Sequence, residues 1–290
     1  MTKRTAPRSW LPAAAKDYVA RLAERNHIVY AWKVRWLARR TDIFLVSFPK
    51  TGRTWLRVLL GRALQQHAGL RGRNLLRYTA ARVHHPGLPR ILATHDDSPQ
   101  AKRADEIIAD KRPYRHRRVV FIVRDPRDVI VSLYHHRASW HRGTPDGYEG
   151  TLGAFIGEPV GSFDSLLRFY QVWDSARDVP DAFLLVRYED LHAAPGRELR
   201  RVLDFIGIGD VTDDLVDDAV KFAAFGNMRR LERRGALKTK ALRVRDAADP
   251  NARRVRRGRV GGYTDELTPE QIVDLDRRLE ATGGVFDYRP

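Results

Sequence analysis

Lys50, Thr51, Gly52, Arg53 and Thr54 place two cations, two hydroxyls and one glycine in five consecutive residues, between the apolar run Ile43-Phe44-Leu45-Val46 and a segment of helical period. These types suit the binding of an anion. Glycine lacks a Cβ, so the main chain can turn and approach a ligand; amides at a helix start point outward; Lys50 and Arg53 add full charges to the helix dipole. The expectation is a loop that grips a phosphate or a sulfate. It is not the common nucleotide-triphosphate loop G-x-x-x-x-G-K-[ST], because Lys50 precedes the only glycine and no upstream glycine stands where that motif needs one. An ordinary strand-to-helix turn with a chance lysine is the bland alternative, to be weighed against the rest of the chain.

Three further groups stand at the ends of short apolar runs: His95 after Ile91-Leu92-Ala93-Thr94, Arg124 after Val119-Val120-Phe121-Ile122-Val123, and Tyr188 closing Phe183-Leu184-Leu185-Val186-Arg187-Tyr188. Each run is too brief for a helix and rich in β-formers, as buried parallel strands require. Ligands of parallel α/β sheets bind at the carboxyl ends of the strands. The residues themselves therefore predict one site with two cationic anchors, an aromatic and a histidine.

The elements between these runs read as helices. Trp55, Leu56, Leu59, Leu60 and Leu64 share one side of a helix over 54–67; Asp125 and Pro126 cap and open another that continues through Val129, Ile130, Leu133 and Tyr134. Residues 163–177, 195–206 and 213–222 carry helical spacing, and Thr268-Pro269-Glu270-Gln271 has capping-box form ahead of Ile272, Leu275 and Leu279. Alternating strands and helices predict an α/β fold, a central parallel sheet with helices on both faces. We expect residues 1–40 to form an N-terminal helical extension, since 10–40 mixes apolar and basic residues at helical spacing, and 41–290 a single domain. Residues 71–89 read as an irregular wall or lid of a cleft, and 226–262, basic and glycine-containing, as a long loop ordered only in part without ligand.

Composition bounds the function classes. Lys and Arg number 53 against 36 Asp and Glu, a net charge of +17, which favours anionic partners: nucleic acid, an acidic membrane surface, a polyanionic glycan or a charged nucleotide. A solvated arginine-rich surface accounts for much of that excess on the bland view. The chain has no cysteine, which excludes disulfides, thiolate metal sites and a cysteine nucleophile. Ten histidines are present, but no spacing resembles a zinc ligand set. The basic N-terminus lacks an unbroken apolar segment after it, so neither a signal peptide nor stable membrane insertion is expected, and the cytoplasm is the default location. Nothing in the sequence fixes an oligomeric state.

The order P-K-[ST]-G-x-T-W from Pro49 to Trp55 resembles the 5′-phosphosulfate loop of the PAPS-dependent sulfotransferases, which use 3′-phosphoadenosine 5′-phosphosulfate (PAPS). The likeness to the cytosolic type covers roughly residues 42–262. Arg124 and Ser132 stand at the spacing of that family's 3′-phosphate motif, two helical turns apart on one side of a helix. R-Y-E-D-L beginning at Arg187 is similar to the segment whose tyrosine, here Tyr188, meets the adenine, and A-F-G-N-M offers Phe225. Arg256-Arg257-Gly258 resembles the late R-K-G that closes over the 3′-phosphate, although G-G-Y follows in place of the usual G-D-W. Thr94-His95 looks like the pair whose histidine takes the acceptor's proton, with Ala93 where a lysine often stands and Asp96-Asp97 in place of Leu-Pro.

The resemblance implies in-line sulfuryl transfer to a hydroxyl, or an amine, of a small-molecule, lipid or glycan acceptor. His95 would activate the acceptor and Lys50 would neutralise charge growing on the bridging oxygen. Thr51, Gly52, Arg53, Thr54 and Trp55 would hold the 5′ end, with Arg53 departing from the threonine frequent there. No metal is required, because lysine and arginines balance the nucleotide. Two alternatives stand beside it: a P-loop kinase, which ATP turnover would reveal, and a nucleic-acid-binding protein. The latter is disfavoured because aromatics are not interleaved with the basic runs.

Overall fold

The computed structural model describes residues 27–72, 74–80, 86–144, 146–237, 249–253 and 255–290. Most of the expected N-terminal extension, residues 1–26, lies outside them, as do 81–85 and 238–248.

Four strands form one sheet: β1 (Ile43–Ser47), β2 (Ile91–Thr94), β3 (Arg118–Val123) and β4 (Ala182–Arg187). Their order is β2-β1-β3-β4 and every pairing is parallel, with Val46 opposite Thr94, Ser47 opposite Ile122 and Val123 opposite Arg187. Parallel neighbours need crossover connections, and these lay helices on both faces. The helices are α1 (His27–Ala38), α2 (Arg53–His67), α3 (Pro126–His135), α4 (Leu152–Ile156) and α5 (Phe163–Asp174), then α6 (Tyr188–Ala193), α7 (Pro195–Phe205), α8 (Asp213–Phe222), α9 (Phe225–Arg233) and α10 (Pro269–Ala281).

Strand alternation divides the core in two. Ile43 and Leu45 of β1 face Leu56, Leu59 and Leu60 of α2 and Leu199 and Val202 of α7, whereas Phe44 and Val46 face Val129 and Ile130 of α3 and the aromatics of α5. Every β1 residue is buried, which is why its sequence is continuously apolar. Each fully buried leucine or phenylalanine contributes about 1.5–3 kcal/mol. Helix α1 lies on the second face with Tyr30, Val34 and Ala38 inward at one-turn intervals.

Three expectations need correction. The expected loop over 226–262 contains α9, whose inward turn is only Met228 and Glu232 among arginines, so its period is hard to see in the sequence. Tyr188 opens α6 instead of closing β4. The helix expected to Arg177 ends at Asp174. Among the described residues no helix is long and apolar enough to cross a membrane.

Candidate active site

All four strands deliver their carboxyl ends to one edge. After β1 the chain turns through Lys50, which has φ +73, and Gly52, which has φ +90 and caps α2. A left-handed non-glycine residue costs about 1–3 kcal/mol and persists only where its surroundings enforce it, as at ligand clamps. Gly52 is required twice over: by its φ, and because a Cβ there would lie 2.5 Å from Cδ2 of Tyr188. Thr51 turns inward, fully buried, and its hydroxyl donates to the Phe48 carbonyl at 3.1 Å. Its side chain thus closes the turn and does not reach the ligand side. Trp55 is fixed by donation from Nε1 to the Ala223 carbonyl at 2.9 Å, with its ring edge-on to Tyr188 at 5.8 Å.

His95 follows β2. Its Nδ1 lies 2.9 Å from the carbonyl of Ser47, and its Nε2 lies 2.7 Å from Nη2 of Arg53. A carbonyl only accepts and a guanidinium only donates, so the neutral ring carries its proton on Nδ1 and presents the Nε2 lone pair to Arg53. The turn after His95 is held from behind. Asp96, Asp97 and Ser98 all have positive φ (44°, 66° and 51°). Asp96 accepts from Tyr30, from Tyr114 at 2.6 Å, from Lys111 at 2.7 Å and from Trp173 at 2.9 Å. Burial pushes the Asp96 carboxyl up, but Lys111 and the tyrosine hydroxyls outweigh it and leave it below its ordinary value. At Asp97 burial wins against Lys102, and the carboxyl rises to about 6. Both side-chain pairs, Asp96–Lys111 and Asp97–Lys102, are almost wholly buried.

Arg124 follows β3. Its Nη2 contacts Asp128 at 3.1 Å and the Arg259 carbonyl at 2.8 Å, and its guanidinium lies 4.5 Å over the Tyr188 ring. Its Nε is buried with no hydrogen-bond partner among the described residues, an orphan that a ligand oxygen would satisfy. Asp128 also receives the backbone amides of Gly261 and Tyr263, each at 3.0 Å, which fixes the late basic segment beside Arg124. In that segment Arg256 donates to Glu266 at 2.7 Å, Arg257 lies 3.2 Å from Glu266, and the Gly258 carbonyl lies 2.9 Å from Nε2 of His192. Burial pushes Glu266 up; hydrogen bonds from His135 and Arg256 outweigh it and hold the carboxyl down to about 2. Gly258 has φ +63, and a Cβ on it would strike the Phe225 ring at 2.5 Å.

These ends enclose a cavity of about 580 Å³, within the usual range for ligand sites. Lys50, Gly52, Arg53, Thr54 and Trp55 line one part; Arg124, Ser132, Tyr188, Phe225, Arg256, Arg257 and Gly258 line another; His95 stands with them. Lys50 and Arg124 therefore face a single cavity on one side of the sheet. Of the sequence-derived site residues only Thr51 is not among the lining. The sequence reading missed His192, which lies one helical turn after Tyr188 and packs against its ring at 6.0 Å. It also missed Gln100, Ala101, His136, Arg137, His141 and Asp146, which line the same cavity. His136 and Arg137 reach it because α3 runs into a π-helical turn, His136–Trp140. None of the described residues of 71–89, expected as a wall, lines the cavity.

A family model described as a sulfotransferase domain matches residues 40–283. Among curated proteins the chain is 26% identical over 288 residues to cytosolic sulfotransferase 12 of Arabidopsis thaliana, covering 85% of this chain and 78% of that protein. It is 27% identical over 274 residues to a flavonol sulfotransferase-like protein of Flaveria bidentis, covering 85% and 84%. Among solved structures, mouse sulfotransferase SULT7A1 complexed with PAP shares the fold at TM-score 0.58 and 22% identity, covering 84% of each chain. Retinol dehydratase in complex with androsterone and PAP does so at TM-score 0.59 and 15% identity, covering 87% and 83%. With the matched region spanning the whole strand set and every cavity-lining loop, the chain belongs to the sulfotransferase domain family.

Proposed function

We propose that this protein transfers the sulfuryl group of PAPS to a hydroxyl of a polar acceptor, and that it does so in the cytoplasm. The observation that carries this reading is the convergence of the Lys50 loop and the Arg124–Ser132 pair on one cavity, which Arg124, with its buried and unsatisfied Nε, helps to line. The donor, when bound, supplies the activated sulfuryl group; the related mouse sulfotransferase and retinol dehydratase structures are complexes with PAP. The amides at the start of α2, with Lys50, Arg53 and Thr54, are suited to its 5′ end. Arg124, Ser132, Arg256 and Arg257 are suited to its 3′-phosphate, and Trp55, Tyr188 and Phe225 give the flat apolar surfaces an adenine ring needs.

His95 provides the base. With its proton on Nδ1, its Nε2 can take the acceptor's hydroxyl proton as the acceptor oxygen bonds to sulfur and the sulfur–oxygen bond to the 5′-phosphate breaks. Lys50, in the same loop, would neutralise the charge left on that phosphate oxygen. Gln100, His136, Arg137, His141 and Asp146 add polar groups to the cavity lining, which supports an acceptor bearing several hydrogen-bonding groups. A polyphenol, the acceptor class in the names of the Flaveria relatives, is the first to screen. Calorimetry with adenosine 3′,5′-bisphosphate, followed by PAPS turnover on a phenol panel, tests the proposal. Binding that is lost in Arg124→Ala is expected; ATP turnover with no bisphosphate binding would overturn it.

A further inference from the structure

Arg53 stands where the related loops commonly carry threonine, and it reaches across 42 residues of sequence to the histidine. We propose that Arg53 is a positioning residue that couples donor binding to the availability of the His95 base. Without nucleotide its guanidinium occupies the Nε2 lone pair; an anion in the Lys50 loop draws it off. The inference rests on the roles given above to His95 and to that loop.

The argument is one of donors and acceptors. Nε2 of a neutral imidazole has one lone pair, which can receive either an Arg53 N–H or the proton of an acceptor hydroxyl, but not both. With the Arg53 contact at 2.7 Å and Nδ1 committed to the Ser47 carbonyl, the ring has no second basic position to offer. Protonating Nε2 in this arrangement would bring two donors and two positive charges together, so Arg53 also holds His95 neutral. A phosphate or sulfate oxygen is a stronger partner for guanidinium than a neutral ring nitrogen. Arg53 is the first residue of α2, in the loop where such an oxygen is expected to sit.

Other charges face His95 as well. Lys50 belongs to the Arg53 loop, Arg137, His136, His141 and Asp146 line the same cavity, and the pairs Asp96–Lys111 and Asp97–Lys102 hold the turn that follows it. The Arg53 guanidinium lies at hydrogen-bond distance from Nε2, so its removal should release that nitrogen directly. The consequence is an order of events: the base becomes competent after the donor is seated.

The test is titration of His95 by NMR in uniformly labelled protein, comparing wild type with Arg53→Gln and Arg53→Thr, with and without adenosine 3′,5′-bisphosphate. In the free protein, the wild-type imidazole should titrate at least about 1 pH unit below either variant, the scale of one close like charge. Adding the bisphosphate should raise the wild-type value by at least about 1 unit more than it raises the variants'. A merely structural Arg53 would leave both differences at zero, and that result overturns the coupling. Protein that binds the bisphosphate but shows equal titrations defeats this inference alone; failure to bind it defeats the donor assignment and the coupling together. If neither variant folds, buffer-dependent calorimetry on the wild type decides: proton uptake on bisphosphate binding near pH 6, absent in His95→Asn, supports the coupling, and no uptake overturns it.

Discussion

Asp96→Ala is the perturbation that most directly tests how the base is held. Asp96 is 2% exposed and its partner Lys111 has a side chain with no exposed surface. Removing the carboxylate leaves a buried ammonium uncompensated and takes the acceptor from Tyr30, Tyr114 and Trp173. Breaking a buried pair from one side costs about 3–5 kcal/mol. Set against a total stability of about 5–15 kcal/mol, and at roughly 2–4 °C per kcal/mol for a chain of this size, the melting temperature should fall by roughly 6–20 °C. Lys111→Met should cost less, because Asp96 keeps three neutral donors. The double variant should cost less than the sum of the singles. Differential scanning fluorimetry and urea titration read the stabilities; turnover at saturating donor reads the effect on His95. A melting temperature for Asp96→Ala within about 2 °C of wild type, or additive singles, would refute the claim that this cluster braces the turn after β2.

Gly52→Ala must place a Cβ against Tyr188 in a left-handed conformation, so it should cost about 1–3 kcal/mol and weaken adenosine 3′,5′-bisphosphate binding at least about tenfold; wild-type affinity would exclude the proposed contact surface. Lys50→Met should lose most turnover while calorimetry still detects the nucleotide, and unchanged turnover defeats its role. Glu266 has a folded value near 2 against an ordinary 4.5, so its hold on Arg256 and His135 is complete above pH 4.5 and is lost as pH falls toward 2. Thermal stability should therefore fall across that window in wild type, whereas Glu266→Gln should already be less stable at pH 7 and show less change there. His95→Ala should abolish transfer to hydroxyls of high pKa, and retained wild-type rates would remove it as the base.

What the sequence disclosed follows from how each feature is encoded. Strands β1 and β3 are legible because burial on both faces leaves no room for polar interruption, and the Lys50 loop because its chemistry is contiguous. The support of His95 is not, because Asp96 draws its partners from 15, 18, 66 and 77 residues away, and no local pattern records such a meeting. The orientation of Thr51 is not legible either, because a hydroxyl in an anion loop can face the ligand or its own main chain, and here it closes the turn to Phe48. Helix α9 was missed because Met228 and Glu232 are the whole of its buried side.

The carboxylate of Asp128 grips peptide amides, not side chains, at Gly261 and Tyr263. A tether of that kind is blind to residue type. It lets the distal cover keep its tether through the departure from G-D-W at 261–263, where Gly261 supplies a left-handed φ of +71 and the Tyr263 ring packs under Arg127. Engineering of donor grip can then vary the exposed side chains of this cover, provided Gly261, Tyr263 and the aspartate four residues after Arg124 are left alone.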